Sequence, residues 1–131
     1  MARINSRAKG ASGEREFCNW LERNFDLPTK PERNLEQVRS GGTDIIFPPF
    51  SFEIKRVENL DVQAAWVQCK VAAEKLCLEP VLAHRRNRQP WSFCIGAKHI
   101  GCDLGYIQFD ERVFKQWVGD AFERQQRLHL A

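Results

Sequence analysis

Nothing in this chain approaches the roughly 20 consecutive apolar residues that a membrane-spanning helix requires. The positively charged start has no apolar segment behind it, so neither secretion nor membrane insertion is expected. Paired cysteines are missing as well. The five present, Cys18, Cys69, Cys77, Cys94 and Cys102, are odd in number and contain no Cys-x-x-Cys. This spacing argues against a disulfide framework or a zinc knuckle and predicts a reducing, cytoplasmic setting. No Gly-x-x-x-x-Gly-Lys or Gly-x-Gly-x-x-Gly loop occurs, which removes the nucleotide-fuelled classes. His84, His99 and His129 stand apart, leaving no His-Glu-x-x-His zinc site or Cys-His dyad. Internal repeats and low-complexity tracts are also absent.

What is present suits one domain: 131 residues, 43% of them hydrophobic, are enough for a real core and too few for two. A net charge of +3 makes the protein mildly basic, which favours a nucleic-acid partner without demanding one. Residues 1–10 carry Arg3, Arg7 and Lys9 with no acid and read as a flexible basic arm, with 11–131 as a single domain. The arm is either a solvated terminus or a phosphate contact. Arg85, Arg86 and Arg88, close to Trp91, form a second basic cluster in what reads as a hairpin loop, and it suits phosphate contact.

Hydrophobic periodicity supplies the elements. Ser12 reads as an N-cap, followed by a helix whose Phe17, Trp20, Leu21 and Phe25 recur at helical spacing. Glu14 lies near the same side of that helix, either as an N-terminal acid favourable to the macrodipole or reaching toward a neighbouring sheet. Asn34 to Arg39 reads as a short strand entering Ser40-Gly41-Gly42, whose glycines permit close approach of a ligand or an ordinary bulge. Asp61 caps a second helix to about Leu78, with Ala65, Trp66, Cys69, Ala72, Ala73 and Leu76 as its apolar set. Strands follow at Val81–His84 and Trp91–Ile95, with a shorter one at Tyr106–Phe109. Asp110 then caps a last helix with Phe114, Trp117, Val118, Ala121 and Phe122 as its stripe. The order implies an α/β fold with a central mixed β-sheet flanked by helices.

The chemistry concentrates between Asp44 and Lys55. Pro48-Pro49 separates Ile45-Ile46-Phe47 from Phe50, Phe52 and Ile54, which predicts an antiparallel hairpin. Two prolines do not supply the positive φ of the usual two-residue turn, so a loop of four residues, Phe47 to Phe50, is expected. A turn centred between the prolines puts Asp44 opposite Glu53, with their Cβ atoms roughly 4.5–5.5 Å apart. Lys55 shares that face and Ile54 points away. Facing like charges destabilise a sheet unless something compensates, and carboxylate oxygens suit Mg²⁺ or Mn²⁺. With Glu14 converging from the first helix, three acids and a lysine have the parts for metal-assisted phosphodiester hydrolysis.

Lys-Gly-Ala-Ser-Gly-Glu14, Arg39-Ser-Gly-Gly-Thr-Asp44 and Glu53-Ile-Lys55, taken in this order, resemble the PD-(D/E)xK nuclease superfamily. The likeness is to the archaeal-type Holliday-junction resolvases and their small phage-borne relatives, and it extends to Trp66-Val-Gln68 and the stretch from Pro80 to Trp91. Thr43 departs from the superfamily, which has proline before its first acid. The resemblance implies a restriction-endonuclease-like core and a cytoplasmic, possibly phage-encoded enzyme that cuts branched DNA as a homodimer with Mg²⁺ or Mn²⁺. It further implies that Asp44, Glu53 and the Ile54 carbonyl hold the metal and that Glu14 assists. Lys55 would be catalytic, Gln68 would position the lysine or substrate, and Ser40 would lie near the scissile phosphate. Arg7, Lys9, Arg39, Arg85, Arg86 and Arg88 complete the expected nucleic-acid contacts. Two other readings keep the residues: a nuclease-like module that binds nucleic acid or protein without cutting, and a nuclease for linear or flap DNA.

Overall fold

The hairpin forms in the register that its prolines dictate. Ile45 faces Phe52, Ile46 faces Ser51 and Phe47 faces Phe50, pairing β1 (Ile45–Phe47) with β2 (Phe50–Arg56). The loop is tighter than the four residues expected, because Phe47 and Phe50 already pair and only Pro48 and Pro49 turn. The Pro48–Pro49 peptide bond is cis.

The computed structural model describes residues 6–27, 30–31, 33 and 44–130, and for residues 6–11 and 121–130 the backbone alone. Helix α1 (Ser6–Asn24) starts six residues before the expected cap at Ser12, so residues 6–10, assigned to a flexible arm, are helical. Ala8, Lys9 and Ala11 are strong helix formers that offset Gly10. Gly13 stands mid-helix for a packing reason: a Cβ there would lie 3.1 Å from the Cβ of Arg56. The helix therefore crosses the end of β2 at close range, which brings Glu14 toward the hairpin. The strand expected at Asn34–Arg39 lies outside the described residues, although Arg33 makes an isolated antiparallel bridge to Ile45.

Asp61 caps α2 (Val62–Lys75), its carboxylate accepting the Ala64 N–H at 3.1 Å. Asp61→Ala leaves that N–H to water and should cost about 1 kcal/mol. Urea unfolding would register this as a lower midpoint at unchanged slope. After α2 come β3 (Glu79–Arg85), β4 (Ser92–Gly96), a 3₁₀ turn at Ala97–Ile100, β5 (Tyr106–Asp110) and α3 (Glu111–Leu130). Asp110 opens α3 as expected, its Oδ1 accepting the N–H groups of Arg112 at 3.0 Å and Val113 at 3.1 Å.

The sheet order is β1-β2-β3-β4-β5, with β2 and β3 parallel and every other pair antiparallel. This is the mixed α/β sheet flanked by helices that the sequence implies. Phe17, Trp20 and Leu21 of α1 and Phe114 and Val118 of α3 pack on one face against Phe50, Phe52, Ile54, Val81, Ala83 and Phe93. Phe93 and Phe114 stack with ring centroids 3.8 Å apart. Ala65, Trp66 and Cys69 of α2 cover Leu82 and Cys94 on the other face. Small side chains on α2 let it lie close to the strands. No described helix is long and apolar enough to cross a membrane.

Candidate active site

Alternation along β2 sends Phe50, Phe52 and Ile54 into the larger core and turns Ser51, Glu53 and Lys55 to the α2 face. Asp44 sits one residue before β1 and continues the hairpin register opposite Glu53. Both carboxylates are buried, at 7% exposure for Asp44 and 4% for Glu53. Asp44 Oδ2 accepts the Ile54 N–H at 2.8 Å. A strand residue's N–H and C=O point to the same side, so the Ile54 carbonyl faces the edge where Asp44 lies. Lys55 Nζ is 3.5 Å from Glu53 Oε1, with its side chain 30% exposed.

Electrostatics show how costly this arrangement is. Burial pushes the Asp44 carboxyl up to about 7, the charges of Glu53 and Glu14 adding to it while the Ile54 N–H and Lys55 oppose it. Burial raises Glu53 as well, with Lys55 pulling the other way and Glu14 adding. Each carboxylate thus feels the other acids in a low-dielectric setting, with one lysine as partial relief. Cys69 of α2 lies over this pair, and burial together with the Glu53 charge holds its thiol far above the ordinary range. Such a thiol is no nucleophile.

The remaining expected site residues are distributed unevenly. Glu14 is buried near enough to act on both carboxylates, but it is ion-paired with Arg33, a partner that sequence spacing did not suggest. Glu14 thus converges on the pair through its charge, while its carboxylate is held by Arg33. Among the described residues no three His, Cys, Asp or Glu side chains stand where they could hold one ion. Gln68 is exposed on α2 beside Cys69. Arg39 and Ser40 lie outside the described residues, and of Arg7 and Lys9 only the helical backbone is described.

The arginine cluster divides. Arg86 and Arg88 are exposed in the β3–β4 turn. Arg85 faces the other way: its guanidinium donates to Glu16 Oε2 at 2.8 Å and lies 5.3 Å from the Trp91 ring centroid. Strand alternation explains this, since Arg85 follows Val81 and Ala83 onto the α1 face. Arg56 joins the same carboxylate at 3.4 Å.

No protein-family model and no curated protein matches the chain. Among solved structures it is similar to Hjc, a Holliday junction resolvase from the archaeal hyperthermophile Archaeoglobus fulgidus. That likeness has 18% sequence identity and a TM-score of 0.49, and it covers 80% of this chain and 86% of the other.

Sequence reasoning passed over His84 as an isolated histidine. The parallel register of β2 and β3 puts it directly beside Lys55, with Ser92 of β4 next in the same row. The site can do two things chemically: offer hard oxygen donors to a cation, and present a lysine ammonium beside them.

Proposed function

We propose that this protein is a divalent-metal-dependent endonuclease that hydrolyses phosphodiester bonds in DNA, with branched DNA as its substrate and a homodimer as its working form. The observation that carries the reading is the pair of buried carboxylates, Asp44 and Glu53, brought to one face by the hairpin and flanked by Lys55. Two acids buried together, one of them pushed up to about 7, make a donor set that fits a hard cation. Mg²⁺ sites commonly use one or two carboxylates, completed by water and substrate oxygens, so a third protein acid is not required. Asp44, Glu53 and the Ile54 carbonyl would hold the ion. When bound, it supplies Lewis acidity toward a phosphoryl oxygen and acidifies water.

The chain's own residues do the rest. The Ile54 N–H fixes the orientation of Asp44. Lys55, held by Glu53 and partly exposed, offers up to three donors to the incoming oxygen nucleophile and to charge developing on the phosphoryl group. Glu14, restrained by Arg33, adds negative potential that favours a cation over an unoccupied pair. The exposed Arg86 and Arg88 suit backbone phosphates further along the strand. A homodimer would supply the two active sites that paired cuts in opposing strands require.

The test is direct. Purified protein should nick a four-way junction in millimolar Mg²⁺ and not in EDTA, with weaker action on flap and linear DNA compared side by side. Mg²⁺ should also raise the melting temperature without DNA. No cleavage and no metal-dependent shift would leave a binding module as the surviving account.

A further inference from the structure

Past Lys55 the α2 face of the sheet continues into a polar cavity of about 430 Å³. His84 pairs with Lys55 on one side and Ser92 on the other, while Gln108 of β5 pairs with Cys94 one row away. Neighbouring strands lie about 4.8 Å apart, so His84 stands one strand from the lysine and Ser92 two. The β3–β4 turn closes the cavity with Arg86, Asn87 and Gln89. That turn is tied down, because Glu58 Oε1 accepts the Asn87 N–H at 3.0 Å. His84 Nε2 is buried without a hydrogen-bond partner among the described residues. Burial and the charge of Arg86 lower the His84 pKa against the opposing bond to Gln108, which favours the neutral ring.

The lining discriminates between ligands. Asn87, Gln89 and Gln108 each carry a donor and an acceptor, as do Ser92 and a neutral imidazole, and Glu58 adds a carboxylate. A phosphate accepts hydrogen bonds only: Arg86 at the turn would attract it, but Glu58 repels it and the acceptors of Asn87, Gln89, Gln108 and Ser92 would go unused. Arg85 does not compensate, since its guanidinium is engaged by Glu16 and Trp91. Nucleobase edges, in contrast, display donors and acceptors together, and side-chain amides read them in pairs. The volume falls within the range of small-ligand pockets.

We propose that this cavity receives one unstacked nucleobase of the strand whose phosphodiester lies at Asp44, Glu53 and Lys55, an assignment that rests on reading that centre as a DNA-cleaving site. Taking a base out of the duplex costs free energy, least where the base is already unpaired. The pocket therefore makes the protein selective for DNA with an unpaired nucleotide beside the cut, as at a branch point.

A splayed-arm duplex tests this when its single-stranded arm carries one abasic nucleotide at successive positions, since the unpairing cost is then absent throughout. Equilibrium binding is read in EDTA by fluorescence anisotropy, and cleavage is read separately in Mg²⁺. One abasic position should weaken binding about tenfold, the others little. Gln108→Ala and Asn87→Ala, each checked for an unchanged melting curve, should bind the intact arm about tenfold more weakly and lose the positional dip. The second variant sits at the exposed turn and keeps its backbone bond to Glu58, so it stands in if the first fails to fold. A flat scan, a dip unaltered in the variants, or no DNA binding overturns the pocket. A flat scan with cleavage intact removes the pocket and leaves the nuclease; a dip without cleavage does the reverse.

Discussion

Asp44→Asn is expected to slow DNA cleavage by on the order of 10³-fold and, in the same protein, to raise the stability of the metal-free form above pH 7. The two effects share one cause. Asp44 is buried beside Glu53 and within the field of Glu14, which lifts its carboxyl from 3.8 to about 7. A folded-state pKa above the unfolded one means that the native protein holds this proton more tightly. Between about pH 4 and 7 the unfolded chain has released it and the native chain has not, so wild-type stability falls as pH rises through that window. Above 7 the whole penalty of an ionised, buried Asp44 is present. Asparagine cannot ionise, and its Oδ1 still accepts the Ile54 N–H that Asp44 receives at 2.8 Å. The variant should therefore exceed wild type by up to about 4 kcal/mol at pH 8 and match it near pH 4. Melting curves from pH 4 to 9 in EDTA measure the difference. In millimolar Mg²⁺ the order should narrow or invert, because only wild type has both carboxylates to bind the ion. A variant less stable than wild type at pH 8 without metal would show that the ionised carboxylate is structural, and would remove the basis for a cation site.

How much of this was legible before the structure depends on which forces are local. The hairpin was, because Pro48-Pro49 fixes the centre of the turn and strand alternation then fixes which residues share the face. The caps Asp61 and Asp110 were, because a side chain that satisfies the first N–H groups acts within three residues. The start of α1 was not, since Ser12 has capping chemistry yet the preceding alanines continue the helix past it. Glu14 and Arg33 meet through tertiary packing 19 residues apart, and no local pattern announces such a pair. The splitting of the arginine cluster was within reach, as alternation along β3 assigns Arg85 to the face of Ala83. His84 was not, because its place beside Lys55 depends on a parallel pairing made through the α2 crossover, which no turn residue specifies.

Lys55→Met should also slow cleavage, by roughly 10²–10³-fold, while changing stability in the direction opposite to Asp44→Asn. Lys55 lies 3.5 Å from Glu53 and is the cation that pulls the Glu53 pKa down against burial. Methionine keeps the apolar length of the stem and deletes the charge, so Glu53 rises further and its ionised form becomes harder to accommodate in the fold. By the same linkage, the metal-free variant loses stability as pH rises, and most above neutrality. Mg²⁺ should then stabilise it at least as much as it stabilises wild type, since the carboxylates remain and their compensating lysine is gone. Lys55→Arg is the informative companion. It restores the charge and most of the pH profile, but a planar guanidinium does not reproduce three rotatable donors on a compact ammonium, so cleavage should stay well below wild type. In Asp44→Asn/Lys55→Met the stability changes should fall short of additivity, because each substitution alters the field in which Glu53 titrates. Strict additivity would mean that the three groups do not share one electrostatic site, and a Lys55→Arg enzyme with full activity would reduce the lysine to a counter-charge for Glu53.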